Sequence, residues 1–586
     1  MASIELSSGG FNKALYLRWQ RALVRLIFSF ILVHCACGLQ PSEKATSPNE
    51  LGASFRILVV PVAWRSRAFP MLKVSYELAA RGHAVTVLLP QVHEAWARDS
   101  FKSFARARAR RENIFSSASL DLPSGLTLLL RDAWDMEAGA EVVANSSPIE
   151  QFRYVLGNTL DNCRRLLAND TINQLVADGR FDIFFGDMMD SCGSTVAEFW
   201  RLPRVDYDSG DCRAGWHFNI YNQPFSPAVT TSYLVPVPTN TALGLKDRLA
   251  NLGATVLLRL VHTHWVLPAL ESFRRSLNAT SYLRLLPPDH PALQQQPQLS
   301  SVTEVNIKRL LMVIVNVDWA FHDVRSIGPH FKYVGPMNAD VPAPLPPALH
   351  SFVSEGGDRS DPRVIYVSPG STFSFGDPGQ AHLMLALLSL PGRYRIVWRA
   401  RPAHRSLLSA RLTALGHPGL MEVAQQPSSP PSPSARLLLL DWAPQNDLLG
   451  QPGLALFVSH CGINGVNEAV FHGVPVLCVP IMGEQPLNGA MIKSFGNGRS
   501  LAFAKLNGAN GQTIALQEIR TILEDPSYSL TSLLLSARMR SHPLPPVLRA
   551  AHWVEAAAAA ARAGPPGFLV PAEALLPWWR LGLVEV

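Results

Sequence analysis

The sequence predicts an α/β fold with two parallel-sheet domains, because strands and helices alternate in both halves of the chain. In the first half, a buried strand (Phe55–Val62), a helix (about 68–81) and a second strand (Ala84–Pro90) follow directly on one another. That order is typical of a βαβ unit. A later buried strand (Phe181–Asp187) precedes a helix predicted over 194–200. These elements predict a first parallel sheet.

The second half repeats the pattern after a proline-rich stretch. The sequence "VPAPLPPAL" (341–349) is typical of an interdomain linker. Apolar strands are predicted at four places beyond it, within the ranges 363–371, 394–400, 454–460 and 474–481. Parallel sheets are covered by helices on both faces, so the two halves should form separate domains that face each other across a cleft.

Length and composition agree with a two-domain globular protein. The 586 residues exceed what one hydrophobic core usually organises. Apolar residues make up 47% and charged residues 17%, which excludes a disordered chain. A net charge of +7 is mild for this length, and the basic run at 105–113 is better explained as a solvated helix face than as a phosphate or membrane site. We therefore expect no nucleic-acid partner.

The N-terminus has the pattern of a secretory signal peptide. Four basic residues precede the short apolar run Leu26–Val33, and small residues follow, with a cleavage site expected after Gly38. An uncleaved signal anchor is the alternative. Three N-glycosylation sequons, at Asn145, Asn169 and Asn278, agree with a location in the endoplasmic reticulum lumen or outside the cell. No later segment, including the C-terminus, reaches the length of a transmembrane helix.

Cysteine use predicts neither a disulfide framework nor a zinc site. Of seven cysteines, five would remain after cleavage at Gly38, and no Cys-x-x-Cys pair occurs. An odd number without paired spacing argues against both kinds of site.

The strongest functional signal lies between Asp441 and Asn488. A strand ends at His460, and the glycines of the following turn, Gly462 and Gly465, would let the backbone approach a ligand closely. The helix that begins there would present free N–H groups and its positive dipole end to an anion. Glu468, about one turn into that helix, is placed to accept hydrogen bonds from ribose hydroxyls.

Read as an ordered set, this segment closely resembles the signature of the UDP-glycosyltransferase family, the GT-B type that includes glucuronosyltransferases. Trp-x-x-Gln, a Leu-Leu pair, a strand, His-x-Gly, the helix glutamate, Gly-Val-Pro and an acid-Gln pair before a proline occur in the family's order. The resemblance extends over most of the chain. It implies a UDP-sugar site made by Trp442 and Gln445 (uracil), Ser371, His460, Asn464 and Gly465 (diphosphate), Glu468 (ribose), and Glu484 with Gln485 (sugar). The family usually has aspartate at the position of Glu484.

The same resemblance implies a fold of two Rossmann-like domains with one linker. The expected boundaries are a signal peptide at 1–38, an acceptor-binding domain at 55–330, a linker at 331–350, a UDP-sugar-binding domain at 351–545, and C-terminal helices at 546–586 that return to the first domain.

The first domain departs from the family pattern at its expected catalytic base. In the family, a histidine after the first strand takes the proton of the acceptor, and an aspartate after a Phe-Asp strand stabilises the charged imidazole. Counting back from Arg81-Gly82-His83 places Arg67 where that histidine belongs, whereas the aspartate is present as Asp187. Arginine remains protonated and cannot act as a base. His83 is expected at the opposite end of the sheet, in a packing or capping role.

Three interpretations of this departure remain open. Asp187 could act as the base itself, although pairing with Arg67 would weaken it. The acceptor could need little deprotonation, as an amine, thiol or carboxylate would. Finally, the protein could bind a UDP-sugar without transferring it.

We therefore expect an inverting, metal-independent transfer of a hexose or hexuronic acid from a UDP-sugar to a small lipophilic acceptor, with no cofactor. The alternatives are a catalytically impaired UDP-sugar-binding protein and a generic nucleotide-binding α/β protein without uracil selectivity. Membrane association and homo-oligomerisation are left open.

Overall fold

A computed structural model describes residues 54–563 of the chain, apart from short internal segments. Those segments are 112–121, 134–147, 189–191, 211–230, 233, 238–242, 278, 289, 291–292, 294–298, 300–308, 323–326, 355–356, 359, 371–372 and 415–435. The expected signal peptide, two of the three sequons, Cys212, Ser371 and the end of the C-terminal region lie outside the described residues.

The first sheet has seven parallel strands in the order β3-β2-β1-β4-β5-β6-β7. The strands are β1 (Arg56–Val60), β2 (Ala84–Pro90), β3 (Leu126–Arg131), β4 (Ile183–Asp187), β5 (Arg204–Asp208), β6 (Leu310–Val315) and β7 (Phe331–Tyr333). Strand β1 is central, with Ile57 opposite Val85 on one side and Ile183 on the other. Strand β7 falls within the range expected for the linker, so the first sheet extends to residue 333.

Eight helices belong to the described part of the first domain. They are α1 (Arg65–Ala80), α2 (Glu94–Arg111), α3 (Pro148–Leu167), α4 (Asp170–Gly179), α5 (Gly193–Phe199), α6 (Leu245–Val261), α7 (Leu267–Ser276) and α8 (Ala279–Leu283). A π-helical turn, His262–Val266, joins α6 to α7, and 3₁₀ turns occur at Gln91–His93 and Trp319–Phe321.

The second sheet has six parallel strands in the order β10-β9-β8-β11-β12-β13. They are β8 (Val364–Ser368), β9 (Arg395–Arg399), β10 (Leu437–Leu440), β11 (Leu454–Ser459), β12 (Val476–Cys478) and β13 (Gly498–Ser500). The accompanying helices are α9 (Pro347–Ser354), α10 (Asp377–Leu388), α11 (Pro402–Ala414), α12 (Gln445–Leu449), α13 (Ile463–His472), α14 (Gln485–Phe495), α15 (Phe503–Leu506), α16 (Gly511–Glu524), α17 (Pro526–Arg540) and α18 (Pro546–Ala563).

Both sheets reverse their strand order at one point. In the first sheet the reversal lies between β1 and β4, and in the second between β8 and β11. Ligands of doubly wound sheets bind beyond the carboxyl ends of the strands at this point. The predicted class, α/β with two Rossmann-like domains, is confirmed, and the reversals locate the two halves of a site.

Helix α18 returns from the end of the chain to the first domain. Its Glu555 accepts hydrogen bonds from Arg81 at 2.9 Å and pairs with His83 at 3.0 Å. Farther along, Arg562 forms an ion pair with Asp182 at 2.7 Å. Alanines of α18 pack into the same core as β1 and α1. The first domain is therefore built from two widely separated parts of the chain.

The expectation of no disulfides was wrong. Cys163 pairs with Cys192 and Cys461 with Cys478, with Cα atoms 6.0 and 5.4 Å apart. Each pair is brought together by the fold, the first where α3 meets the start of α5 and the second where β11 lies beside β12. The sequence could not show this because 29 and 17 residues separate the partners. Within the described ranges, no helix is both long and apolar enough to cross a bilayer.

Candidate active site at the two strand-order reversals

The acceptor side of the site is built where β1 leads into α1. Helix α1 begins at Arg65, earlier than predicted, because the carbonyl of Trp64 accepts hydrogen bonds from the backbone N–H groups of Arg67 and Ala68. Arg67 therefore lies in the first helical turn. Its guanidinium faces Asp187, the last residue of β4.

Arg67 and Asp187 form a bidentate ion pair. The Nε of Arg67 lies 3.1 and 3.0 Å from the two carboxylate oxygens of Asp187, and Nη2 lies 2.6 Å from Oδ1. The Nη1 group donates to Ser209 Oγ at 2.5 Å. The Asp187 side chain is fully buried, and that of Arg67 is 15% exposed. Both carboxylate oxygens that could have oriented an imidazole are thus engaged by the guanidinium.

The electrostatics of this pair keep Arg67 charged. Burial by itself lowers the pKa of Arg67, but the charge of Asp187 and the hydrogen bonds to it outweigh burial and raise that pKa above its usual value. Burial also raises the pKa of the neighbouring Tyr207 well above its usual value, although the Arg67 cation opposes the shift. Neither Arg67 nor Tyr207 can accept a proton from an acceptor in these states.

His83 lies at the other end of the sheet, in the turn between α1 and β2. Its Nδ1 accepts a hydrogen bond from the backbone N–H of Phe55 at 3.2 Å, and its Nε2 faces Glu555. Phe55 precedes β1, whereas Asp187 ends the neighbouring β4. His83 therefore joins α18 to the first sheet and takes no part in the site.

On the donor side, the ring of His460 lies between two glycines. A Cβ atom added at Gly370 would lie 2.4 Å from His460 Cε1, and one added at Gly462 would lie 2.6 Å from His460 Nε2. Gly370 also has a φ of +86°. Both positions need glycine because a Cβ atom would collide with His460, and Gly370 needs it also because of its positive φ. Burial, with the nearby Arg399 cation, lowers the pKa of His460 to about 4, so the imidazole is neutral at pH 7.

A helix N-terminus lies immediately beyond His460. Helix α13 begins at Ile463 after Gly462, and the first-turn N–H groups of a helix have no intrahelical partner. Glu484 lies nearby, where surrounding protein raises the pKa of its carboxylate and the Ile463 N–H opposes that shift. This end of α13 thus already faces one negative charge. Its N–H groups, with the helix dipole, can hold the oxygens of an anionic ligand.

Asn464 joins the two domains. Its Nδ2 donates to the Ser66 carbonyl at 2.6 Å, its Oδ1 accepts from Asn316 at 3.1 Å, and its carbonyl accepts from Asn338 at 2.9 Å. The Ser66 carbonyl is available because Pro70, four residues later in α1, has no N–H to donate to it. With its side chain engaged, Asn464 could offer an anionic ligand its backbone N–H. Gly465 follows it in the same first turn.

A flat ring and a buried carboxylate lie farther along the donor side. The Trp442 side chain is 65% exposed. The guanidinium carbon of Arg399 lies 6.0 Å from the centroid of its ring, within range of a cation–π interaction. Gln445 donates to Glu468 at 2.5 Å and accepts from Tyr366 at 3.3 Å. Burial raises the pKa of Glu468 to about 7, although hydrogen bonds from Gln445 and a second amide oppose it.

The acid-Gln pair begins α14. Gln485 is buried, and its Oε1 closes the preceding turn by accepting from the N–H groups of Ile481 and Met482 at 2.8 and 3.0 Å. Only the amide nitrogen of Gln485 is left for a ligand. Glu484 is exposed to the cleft, where surrounding protein raises its pKa and the Arg67 cation opposes that shift. The charge of Arg67, on the acceptor side, therefore acts on the carboxyl group of Glu484 on the donor side.

Two contributors were missed by sequence reasoning. Arg399, at the end of β9, donates to the carbonyls of Gly370 and Asp441 and so holds the two loops beside His460 and Trp442. Lys73 on α1 is buried and pairs with Asp340 at 3.0 Å, close enough for its charge to act on Glu468. Arg399 could have been suspected as a charged residue at the end of a buried strand. Lys73 had no such signal.

Comparisons with known proteins agree with this geometry. A family model described as UDP-glucoronosyl and UDP-glucosyl transferase matches residues 55–579. UDP-glucuronosyltransferase 2A3 of Cavia porcellus is 26% identical over 398 residues, which are 67% of this chain and 64% of that protein. UDP-glucuronosyltransferase 2C1 of Oryctolagus cuniculus is 24% identical over 489 residues, 82% of this chain and 84% of that protein.

A solved structure is similar over nearly the whole fold. UDP-glucose: anthocyanidin 3-O-glucosyltransferase in complex with UDP has a TM-score of 0.51 and 16% identity, covering 87% of this chain and 99% of that one. At that identity the likeness concerns the fold, which is the GT-B arrangement of two domains. The family model, which matches most of the chain, shows that the chain belongs to the UDP-glycosyltransferase family of enzymes.

Proposed function

We propose that the second domain binds a UDP-sugar and that its hexose or hexuronic acid is transferred, with inversion and without a metal ion, to a small lipophilic acceptor on the first domain. The observation that supports this most is the arrangement around α13. Arg399 contacts both Trp442 and the Gly370 loop beside His460, and Gln445 donates to Glu468 of α13, so these residues are close enough together to hold the base, ribose and diphosphate of one nucleotide. Arg67 and Asp187 lie across the cleft, joined to α13 through the Ser66–Asn464 contact.

The reaction would be a displacement at the anomeric carbon. A lone pair of the acceptor forms the new bond to that carbon, the bond from the carbon to the UDP oxygen breaks, and its electron pair leaves with UDP. The dipole of α13 and a hydrogen bond from neutral His460 would stabilise the departing diphosphate. The proton of the acceptor goes to solvent, because both oxygens of Asp187 are bound by Arg67. Acceptors that need little deprotonation, such as amines, thiols or carboxylates, fit this arrangement best.

A second candidate function is favoured by one observation. The bidentate Arg67–Asp187 pair removes the base on which transfer to alcohols depends. A protein that binds a UDP-sugar without transferring it would have the same donor side. A panel of UDP-sugars, read by calorimetry for binding and by UDP release for turnover on alcohols, phenols, amines and thiols, distinguishes the two. Binding without turnover on every acceptor would support the non-transferring protein.

Uracil selectivity tests the donor site itself. We expect UDP to raise the melting temperature of the full chain more than ADP or GDP does at equal concentration. The reason is that Gln445 can hydrogen-bond to the amide edge of uracil while Trp442 stacks on the uracil ring. Gln445→Ala should reduce the difference between UDP and ADP, whereas Gln517→Ala, at an exposed position of α16, should not. Equal stabilisation by ADP and UDP would contradict the assignment of Trp442 and Gln445.

UDP binding should also depend on the ionisation of Glu468. With a pKa of about 7, this carboxyl is largely charged above neutral pH and largely protonated below it. Only the carboxylate accepts hydrogen bonds from both ribose hydroxyls, so UDP affinity should fall about tenfold from about pH 8 to about pH 6. Glu468→Gln should weaken binding at pH 8 and remove this step. Calorimetry measures how UDP affinity depends on pH in the parent chain and in Glu468→Gln. The titration of UDP itself affects both pH profiles equally, so it does not alter their comparison. Parallel profiles would contradict the role of Glu468.

We also propose that the chain enters the secretory pathway through its N-terminal segment, with the endoplasmic reticulum lumen or the exterior as its location. Sequencing the N-terminus of the expressed protein distinguishes cleavage after Gly38 from an uncleaved anchor.

A further inference from the structure

Among the residues that the structure describes, helix α6 carries a stripe of exposed apolar side chains. Leu245, Leu249, Leu252, Val256 and Leu260 follow one another at intervals of four, three, four and four residues, so they share one face of the helix. Each is between 46% and 74% exposed. We call these five residues the leucine stripe. Exposed apolar patches of this continuity mark interaction surfaces, whereas single exposed leucines need no explanation.

The buried face of the same helix is mostly polar, because two of its three buried residues, Asn251 and Thr255, are polar and the third is Leu258. Asn251 is fully buried, and its Oδ1 accepts the Ser232 backbone N–H at 2.7 Å. Thr255, also buried, donates to the Asn251 carbonyl at 2.7 Å, and His262 is buried in the π-helical turn that follows. A helix at a water-facing surface normally packs its apolar residues inward. Helix α6 therefore exposes more large apolar side chains than it buries.

Basic and aromatic side chains border the leucine stripe. Lys246, Arg248 and Arg259 are exposed along α6, and Trp265 is exposed just beyond its end. The acidic residues of the α6–α7 segment, Asp247 and Glu271, are half-buried. An apolar face bordered by lysine and arginine, with tryptophan at its end, is complementary to a bilayer surface that contains anionic lipids. A second copy of the chain would bring the same basic border against itself.

Helix α7 holds α6 firmly on the first domain. Arg274 of α7 is buried, donates to Thr195 at 3.0 Å and forms an ion pair with Glu198, both of which belong to α5. The leucine stripe is thus fixed relative to the core of the domain. A surface that bound it would hold the whole first domain in one orientation.

We propose that α6 docks on the surface of an anionic lipid bilayer, with the leucine stripe at the boundary of the acyl chains and its basic border among the headgroups. The helix lies on the bilayer and does not cross it. This docking does not depend on sugar transfer. If the first domain holds the acceptor as proposed above, docking places that domain where lipophilic acceptors are concentrated.

Photo-crosslinking identifies the segment that touches lipid in the full chain, whatever the N-terminal segment does. The chain is mixed with vesicles of phosphatidylcholine, with or without phosphatidylserine, that contain a photoactivatable phosphatidylcholine, and labelled peptides are mapped by mass spectrometry. We expect label within residues 245–265, and more of it when phosphatidylserine is present. Absence of label there, with label elsewhere or nowhere, would overturn the proposal.

A matched pair of variants completes the test. Leu249→Gln, Leu252→Gln and Val256→Gln together should reduce labelling of this segment at least about tenfold. The control changes Leu530, Leu533 and Leu534 to Gln, because these leucines are also exposed, on α17 of the second domain. It should leave labelling unchanged. Both variants should keep the melting temperature of the parent chain with UDP. Unchanged labelling in the stripe variant, or loss of a dimer in sedimentation without loss of labelling, would count against a lipid surface.

Discussion

Arg67→His is expected to raise the rate of sugar transfer to a phenol by about 10²–10⁴-fold, the usual contribution of a positioned general base. The side chain at this position lies against both oxygens of Asp187. An imidazole there could donate one ring N–H to Asp187 and use its other nitrogen to take the acceptor proton. UDP release with one phenol and one UDP-sugar, at saturating donor, measures the gain.

Two controls separate the base from simple loss of charge. Arg67→Lys keeps a cation that cannot act as a base, so it should not gain activity. Arg67→His combined with Asp187→Asn should lose most of the gain, because the imidazole is then no longer oriented or stabilised. If Arg67→His binds UDP-sugar normally and transfers no faster than the parent, the missing base does not limit the rate.

Gly370→Ala is expected to weaken UDP binding at least about 100-fold, which corresponds to about 2.7 kcal/mol. The new methyl group would lie 2.4 Å from the ring of His460, and Gly462 also approaches that ring closely. His460 would have to leave the position from which it can reach a diphosphate. Calorimetry with UDP gives the affinity, and thermal unfolding without ligand shows whether the fold persists.

The matched control for this variant is Gly483→Ala. Gly483 has a φ of +62°, so alanine is strained there as well, but its Cβ would meet no atom within 4 Å. The comparison isolates displacement of His460 from the general cost of a positive φ. We expect Gly483→Ala to change UDP affinity far less than Gly370→Ala does. Similar losses in both variants would show that backbone strain, and not the position of His460, is what matters.

Much of the fold could be predicted because buried parallel strands have a simple sequence pattern. Strands such as β1 and β11 are covered on both faces and read as unbroken apolar runs. The end of β11 is sharp because His460 and Gly462 follow it, whereas the buried apolar residues Val62 and Ala63 continue beyond the end of β1 at Val60. The glycine turn after β11 could also be predicted, since its two glycines and His460 are close together in the chain.

The contacts between domains could not be predicted, because they join residues that are far apart in sequence. The bond from Asn464 to the Ser66 carbonyl spans 398 positions and depends on Pro70, which reads in the sequence only as an unusual residue within a helix. Family resemblance suggested which residues meet the donor, and only the three-dimensional arrangement shows which polar atoms are already occupied.

The return of α18 to the first domain has a consequence for biosynthesis. Val554, Ala557 and Ala558 belong to the same core cluster as Ile57 and Val59 of β1. Domains commonly fold in order as they leave the ribosome, the N-terminal one first. Here the first domain cannot close its core until the second has been translated, so an emerging chain would expose the α18-binding surface of its first domain throughout synthesis of the second. Chaperones that bind apolar surfaces would meet that face before α18 does.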